Sequence, residues 1–111
     1  MKRILNLFVA CIVFGMSGTA YARDAVNANI QELYVQPEGV VIFTTTASVG
    51  TWPGCATTQR FAVSVATAGG QAVYAGLLSA LKAHTPITIH GKGVCDAWGD
   101  SESVGYLQVL S

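Results

Sequence analysis

A small, mostly β fold built round one helix is what the sequence predicts, and three observations carry the prediction. Apolar and polar residues alternate in five short segments, the mark of half-buried strands. Between the third and fourth segments the period changes to that of a helix, from Gln71 to about Ala83. Glycine and proline punctuate the joins. The resulting order, β-β-β-α-β-β, is that of the OB-fold, a small Greek-key barrel. Ferredoxin-like order needs a helix after the first strand, and a plain β-sandwich leaves the helix unexplained.

The elements follow in order. Residues 29–36 put Leu33 and Val35 on one face and Glu32, Tyr34 and Gln36 on the other, and Pro37 ends the strand. Ile30 is out of register with Leu33, so a bulge or a strand start lies between them. Glu38-Gly39 turns the chain into Val40–Thr46, β-branched and aromatic nearly throughout. Ala47 to Thr58 reads as a loop, with Gly50, Pro53, Gly54 and Cys55. Arg60–Ala66 points Phe61, Val63 and Val65 inward and Ala62, Ser64 and Ala66 outward.

Gly69-Gly70 breaks that third strand. The helix then places Val73, Tyr74, Leu77, Leu78 and Leu81 on one stripe. Gly76 costs it about 1 kcal/mol relative to alanine, or lets it pack closely on the sheet. Pro86 bars continuation. Pro86–His90 forms a fourth strand with Ile87 and Ile89 inward and Thr88 and His90 outward. Residues 91–101 are loop. Val104–Leu110 is the fifth strand, with Val104, Tyr106, Gln108 and Leu110 on one face and Leu107 and Val109 on the other.

Residues 1–22 read as a secretory signal peptide. Met1-Lys2-Arg3 is a short positive start, Ile4 to Met16 is apolar, and Ala20-Tyr21-Ala22 is a small-x-small cleavage site before Arg23. A retained anchor and a lipidated Cys11 are the alternatives; the apolar run is short for the first and no stop-transfer segment follows it, and the second leaves Ile12, Val13 and Phe14 on the mature chain. The mature domain, 23–111, has 89 residues and no membrane span. The short signal with its compact basic start looks bacterial, so the protein is expected in the periplasm or outside the cell. Four basic residues against six acidic ones give the mature chain a formal charge of −2. With no basic excess, binding to nucleic acid by counterion release has no footing.

Signal removal leaves two cysteines, Cys55 and Cys95. An even pair in an oxidising compartment reads as one disulfide. It would close a loop of 40 residues, worth about 3–4 kcal/mol by loop-closure entropy. A catalytic thiol with His84 or His90 as base is the rival reading, and zinc is a weaker one because no C-x-x-C or H-x3-H spacing is present.

Trp52 and Trp98 lie in loops beside the cysteines and are the candidate ligand-binding residues. An exposed indole is a platform for a sugar ring or an anchor in a partner pocket; the competing role is to cover the disulfide or a barrel end. Asp96, Asp100 and Glu102 cluster in seven residues, but match no calcium loop and read as a solvated acidic loop. A glycosidase pair among them would have little cleft to work in. His84 suits the helix C-terminus. No G-x-S-x-G elbow and no phosphate-cradling loop is present. No catalytic set, metal set or cofactor motif emerges, and the reading is of an exported, non-enzymatic binding module. The alternative is a small structural or inhibitor protein without a glycan ligand.

Two stretches carry a family resemblance. Arg60-Phe61-Ala62-Val63-Ser64 leads to Gly70-Gln71-Ala72-Val73-Tyr74-Ala75-Gly76-Leu77-Leu78-Ser79-Ala80. Ile87-Thr88-Ile89-His90-Gly91-Lys92-Gly93-Val94-Cys95 leads to Ser101-Glu102-Ser103-Val104. As a pattern over roughly residues 30–110, the chain resembles the subtilase-cytotoxin-type B subunits of AB5 toxins. The resemblance implies an OB-fold, glycan binding, a pentameric homo-oligomer and a toxin-like A chain as partner. It also implies that the third and fifth strands run parallel and adjacent, which sets Cys55 and Cys95 at one barrel end, in agreement with a bridge. No sugar-contacting residue carries over.

Overall fold

In the computed structural model, which describes residues 22–111, seven strands accompany one helix. The expected signal segment thus falls, apart from Ala22, outside the described residues. The strands are β1 (Arg23–Ala28), β2 (Ile30–Gln36), β3 (Val40–Thr45), β4 (Val49–Gly50), β5 (Phe61–Ser64), β6 (Ile87–Gly91) and β7 (Glu102–Val109), and the helix, α1, is Ala68–Ala83. The strands form one sheet in the order β2-β3-β5-β7-β6-β1-β4. Every pairing is antiparallel except β5 with β7.

The mostly β class with one helix is as the sequence predicts. A closed barrel is not formed: β2 and β4 are the two edges, and no backbone ladder joins them. The chief irregularity lies in the first strand. Only Asn29 separates β1 from β2, yet they stand near opposite ends of the sheet. Asn27 has a left-handed φ of 50°, and the register slips between Ala25 and Ala28. The chain bends there, pairs β1 with β6 and β2 with β3, and curls the sheet round the core without closing it. This bend also hid β1 from the sequence reading. Its buried positions are Ala25 and Ala28, three apart, so no period of two is visible. The expected irregularity after Ile30 is present as a register shift between Ile30 and Glu32.

The core lies inside the curl, where Val41, Phe43, Phe61, Leu77, Ile87 and Ile89 are buried. Phe43 and Phe61 stack at 5.6 Å. Burying each such side chain contributes about 1.5–3 kcal/mol. α1 lies against this core through part of the expected stripe, Val73, Tyr74 and Leu77. Leu77 and Ala80 are buried, while Leu78 and Leu81 are exposed. The helix also begins earlier than expected. The Thr67 side chain accepts the Gly70 N–H at 3.0 Å, so Gly69-Gly70 forms the first turn rather than a break. A Cβ on Gly70 would overlap the Ser64 carbonyl oxygen, and one on Gly76 would lie 2.6 Å from Leu107. These two glycines let α1 approach the sheet, which outweighs their cost in helix propensity.

Candidate functional site

The loops join the two cysteines and set each tryptophan against apolar side chains on its own face of the sheet. Cys55 and Cys95 form a disulfide with Cα atoms 6.1 Å apart. Both thiols are consumed, so the catalytic-thiol and zinc readings have no thiolate to use. Trp52 is half-buried against the inner core, with its ring 5.0 Å from Phe61 and the Arg23 guanidinium 5.5 Å above it. Trp98 is half-buried on the other side of the sheet, where with Ala97 it covers Val40, Ile42 and Ala62. Phe61 and Ala62 are neighbours on β5 and point to opposite faces. The two tryptophans therefore do not share a surface.

The acidic cluster is dispersed too. Asp100 pairs with Arg60 at 3.2 Å. Asp96 pairs with Lys92 at 3.1 Å and accepts a hydrogen bond from the Ser103 hydroxyl, which holds its carboxyl below the usual range. Glu102, expected in a solvated loop, is fully buried at the start of β7. Its carboxyl pKa is raised by burial, against the pull of N–H donors from Gly93 and Arg23. His84, in the left-handed region at φ 55°, is the C-cap of α1.

A different set of side chains faces outward together. β1, β6 and β7 lie side by side, and Asp24 is paired with His90 and His90 with Tyr106. His90 Nδ1 stands 2.9 Å from Asp24 Oδ1. The His90 ring stacks on Tyr106, with centroids 5.0 Å apart and planes at 13°. Since Nδ1 faces the carboxylate, Nε2 is the nitrogen left to a ligand. Tyr106 is 54% exposed.

A bulge brings Tyr106 to this face. Gly91 pairs with Val104 and His90 with Tyr106, which leaves Gly105 as the extra residue. Val104 packs on the core, and strict alternation would send Tyr106 inward with it. The bulge reverses the phase, so Tyr106 turns out and Leu107 turns in. The expected grouping of Val104 with Tyr106 on one face is thereby corrected. A Cβ on Gly105 would come 2.9 Å from the His90 carbonyl oxygen, which is why glycine stands there.

Beside Tyr106, β5 and β7 pair only at Phe61–Glu102 and Ala62–Ser103 and then diverge. The divergence opens a groove of about 620 Å³, lined by Ser64, Thr67, Val73, Lys92, Asp96, Ser103 and Tyr106 among others. The Asp24–His90–Tyr106 row thus borders a groove with polar groups of both signs. Sequence reasoning passed over Asp24 and Tyr106 as site residues; the one signal was the glycine directly before Tyr106 inside a strand pattern. No protein-family model, curated protein or solved structure matches this chain. No helix among the described residues is long and apolar enough to cross a membrane.

Proposed function

We propose that the protein is an exported, non-enzymatic binding module of OB type that takes a carbohydrate at the Asp24–His90–Tyr106 row and the adjoining groove. The observation that carries this reading is the exposed Tyr106 ring, held against His90 beside a carboxylate. A sugar ring has an apolar C–H face that stacks on an aromatic ring and hydroxyls that donate to a carboxylate or an imidazole nitrogen. The row offers both kinds of contact at once. Its members are held by cross-strand pairs, so little ordering entropy is lost on binding. The OB assignment is supported by the helix after β5, the parallel β5–β7 pair and the bent β1–β2 stretch that stands near both ends of the sheet.

The pentameric ring and toxin-like A chain that the resemblance implies go with this reading. The free edge of β2, with Tyr34 and Val35 exposed, supports association of copies. NMR titration of the mature domain with a panel of oligosaccharides tests the site. Shifts should concentrate at Asp24, His90 and Tyr106, and Tyr106→Ala should weaken binding by about 1–3 kcal/mol. Shifts elsewhere, or a panel that leaves the spectrum unchanged, would remove the site. A monomeric mass by light scattering at high concentration would remove the ring.

A further inference from the structure

Glu102 is a buried carboxylate without a side-chain cation. It is fully buried, and the ion pairs among the described residues are Arg60–Asp100, Asp24–His90 and Lys92–Asp96. An uncompensated buried carboxylate costs several kcal/mol. Its contacts come from the backbone. The Arg23 N–H lies 3.0 Å from Oε1 and 3.3 Å from Oε2, and the Gly93 N–H donates to Oε2 at 2.9 Å. A Cβ on Gly91 would overlap Oε2, so that glycine makes room for the carboxylate. The Arg23 guanidinium is turned away, bonded to Ser48 and the Gly50 carbonyl and lying over Trp52.

The nitrogen aimed at both Glu102 oxygens is also the one that follows Ala20-Tyr21-Ala22. We propose that signal removal turns the Arg23 nitrogen into an α-ammonium that serves as the counter-ion of Glu102, so that processing completes the fold. This rests on the export reading. The leader peptidase adds water across the Ala22–Arg23 bond: the oxygen goes to the Ala22 carbonyl carbon, which leaves as a carboxylate, and Arg23 keeps the nitrogen, protonated to –NH3+. Before cleavage the niche supplies Glu102 with neutral N–H donors only. After it, a full positive charge stands at hydrogen-bond distance in a site shielded from water, where a charge pair is strongest. The precursor is thus less stable than the product, which suits a chain that must stay unfolded until it is exported.

Two other groups bear on Glu102. Asp24 on β1 raises its pKa and His90 on β6 lowers it, while burial is the largest influence. An acid whose folded pKa is raised loses stability as the pH climbs through that pKa. The uncleaved form should therefore weaken between acidic and neutral pH, and the mature form should not. The α-amine acts in a higher pH window: its stabilisation is full below the unfolded value of about 7.7–8.0 and is lost as the amine is deprotonated at higher pH.

Thermal melts of two proteins, one starting at Arg23 and one at Ala20, test the pairing. At pH 7 the Arg23 form should melt higher by roughly 4–8 °C. The gap should close at alkaline pH, and in Glu102→Gln both lengths should melt alike. Should Glu102→Gln fail to fold, acetylating the Arg23 α-amine of the wild type must erase the gap instead. Equal melting points at pH 7, or a gap that survives acetylation, overturn the pairing. Intact mass of the exported protein tests the export reading separately: a start other than Arg23 sinks that reading, while the melts still decide the pairing.

Discussion

The two halves of the sheet treat their outer faces differently. In the β3–β5 half both faces are buried: Val41, Phe43, Phe61 and Val63 lie inward, and Val40, Ile42 and Ala62 lie outward under Ala97 and Trp98. In the β1–β6–β7 half the inner face is equally dry, but the outer one carries Asp24, His90 and Tyr106 in the open. The covering loop accounts for the difference. Residues 92–101 fold back over β3 and β5, held by the disulfide to Cys55, by the Asp100–Arg60 pair and by Ser103, whose hydroxyl accepts the Asp96 and Ala97 N–H groups at 3.0 and 3.1 Å. A small domain has one such loop to spend on cover. It goes to the apolar outer face, and the polar face is left uncovered.

The largest effect should come from releasing the cover. Cys95→Ser should lower stability by about 2–5 kcal/mol. Urea melts of the mature domain should show the midpoint falling, and hydrogen exchange should rise at Val40, Ile42 and Ala62 ahead of Ile87 and Ile89. Uniform loss of protection across both halves would mean that the disulfide serves the whole fold and not its cover. Trp98→Ala is the next step down. It strips a half-buried ring from the same face and should cost roughly 1–3 kcal/mol, less than the loss of a fully buried aromatic. A cost near zero would show that Ala97 and the disulfide suffice.

How much of this was legible in the sequence differs between the same two halves. Val40–Thr46 and Arg60–Ala66 were readable because β-branched and aromatic runs and strict alternation report directly on burial. The cysteine pair was readable from its number and the compartment expected for it. The other half depends on irregularities that alternation cannot carry. The bend at Asn27 hid β1, and with it Asp24. The bulge at Gly105 changed which face Tyr106 joins. The burial of Glu102 was hidden because its partners are backbone N–H groups, one of them 79 residues away, and backbone donors leave no trace in residue type. The tryptophans drew attention for their size, yet size alone cannot tell a cover from a platform.

The smallest expected effect on stability is also the sharpest contrast with the covered half. Tyr106→Ala removes an aromatic ring, as Trp98→Ala does, but from a face where the ring covers nothing apolar. What the fold loses is the cross-strand stack on His90, a contact of this kind being worth about 0.2–1 kcal/mol. The Asp24–His90 pair and the Gly105 bulge involve no atom of the Tyr106 side chain, so the strand phase should survive. Thermal melts should therefore place Tyr106→Ala within a few degrees of the wild type, while oligosaccharide shifts at Asp24 and His90 shrink. Tyr106→Phe keeps the ring and should retain both the stack and most of the binding. A large loss of stability in Tyr106→Ala would make Tyr106 part of the packing, and the open face would then be a second covered one with its cover still to be found. Unchanged binding in a stable Tyr106→Ala domain would move the ligand off the row and leave the groove between β5 and β7 as the surface to probe.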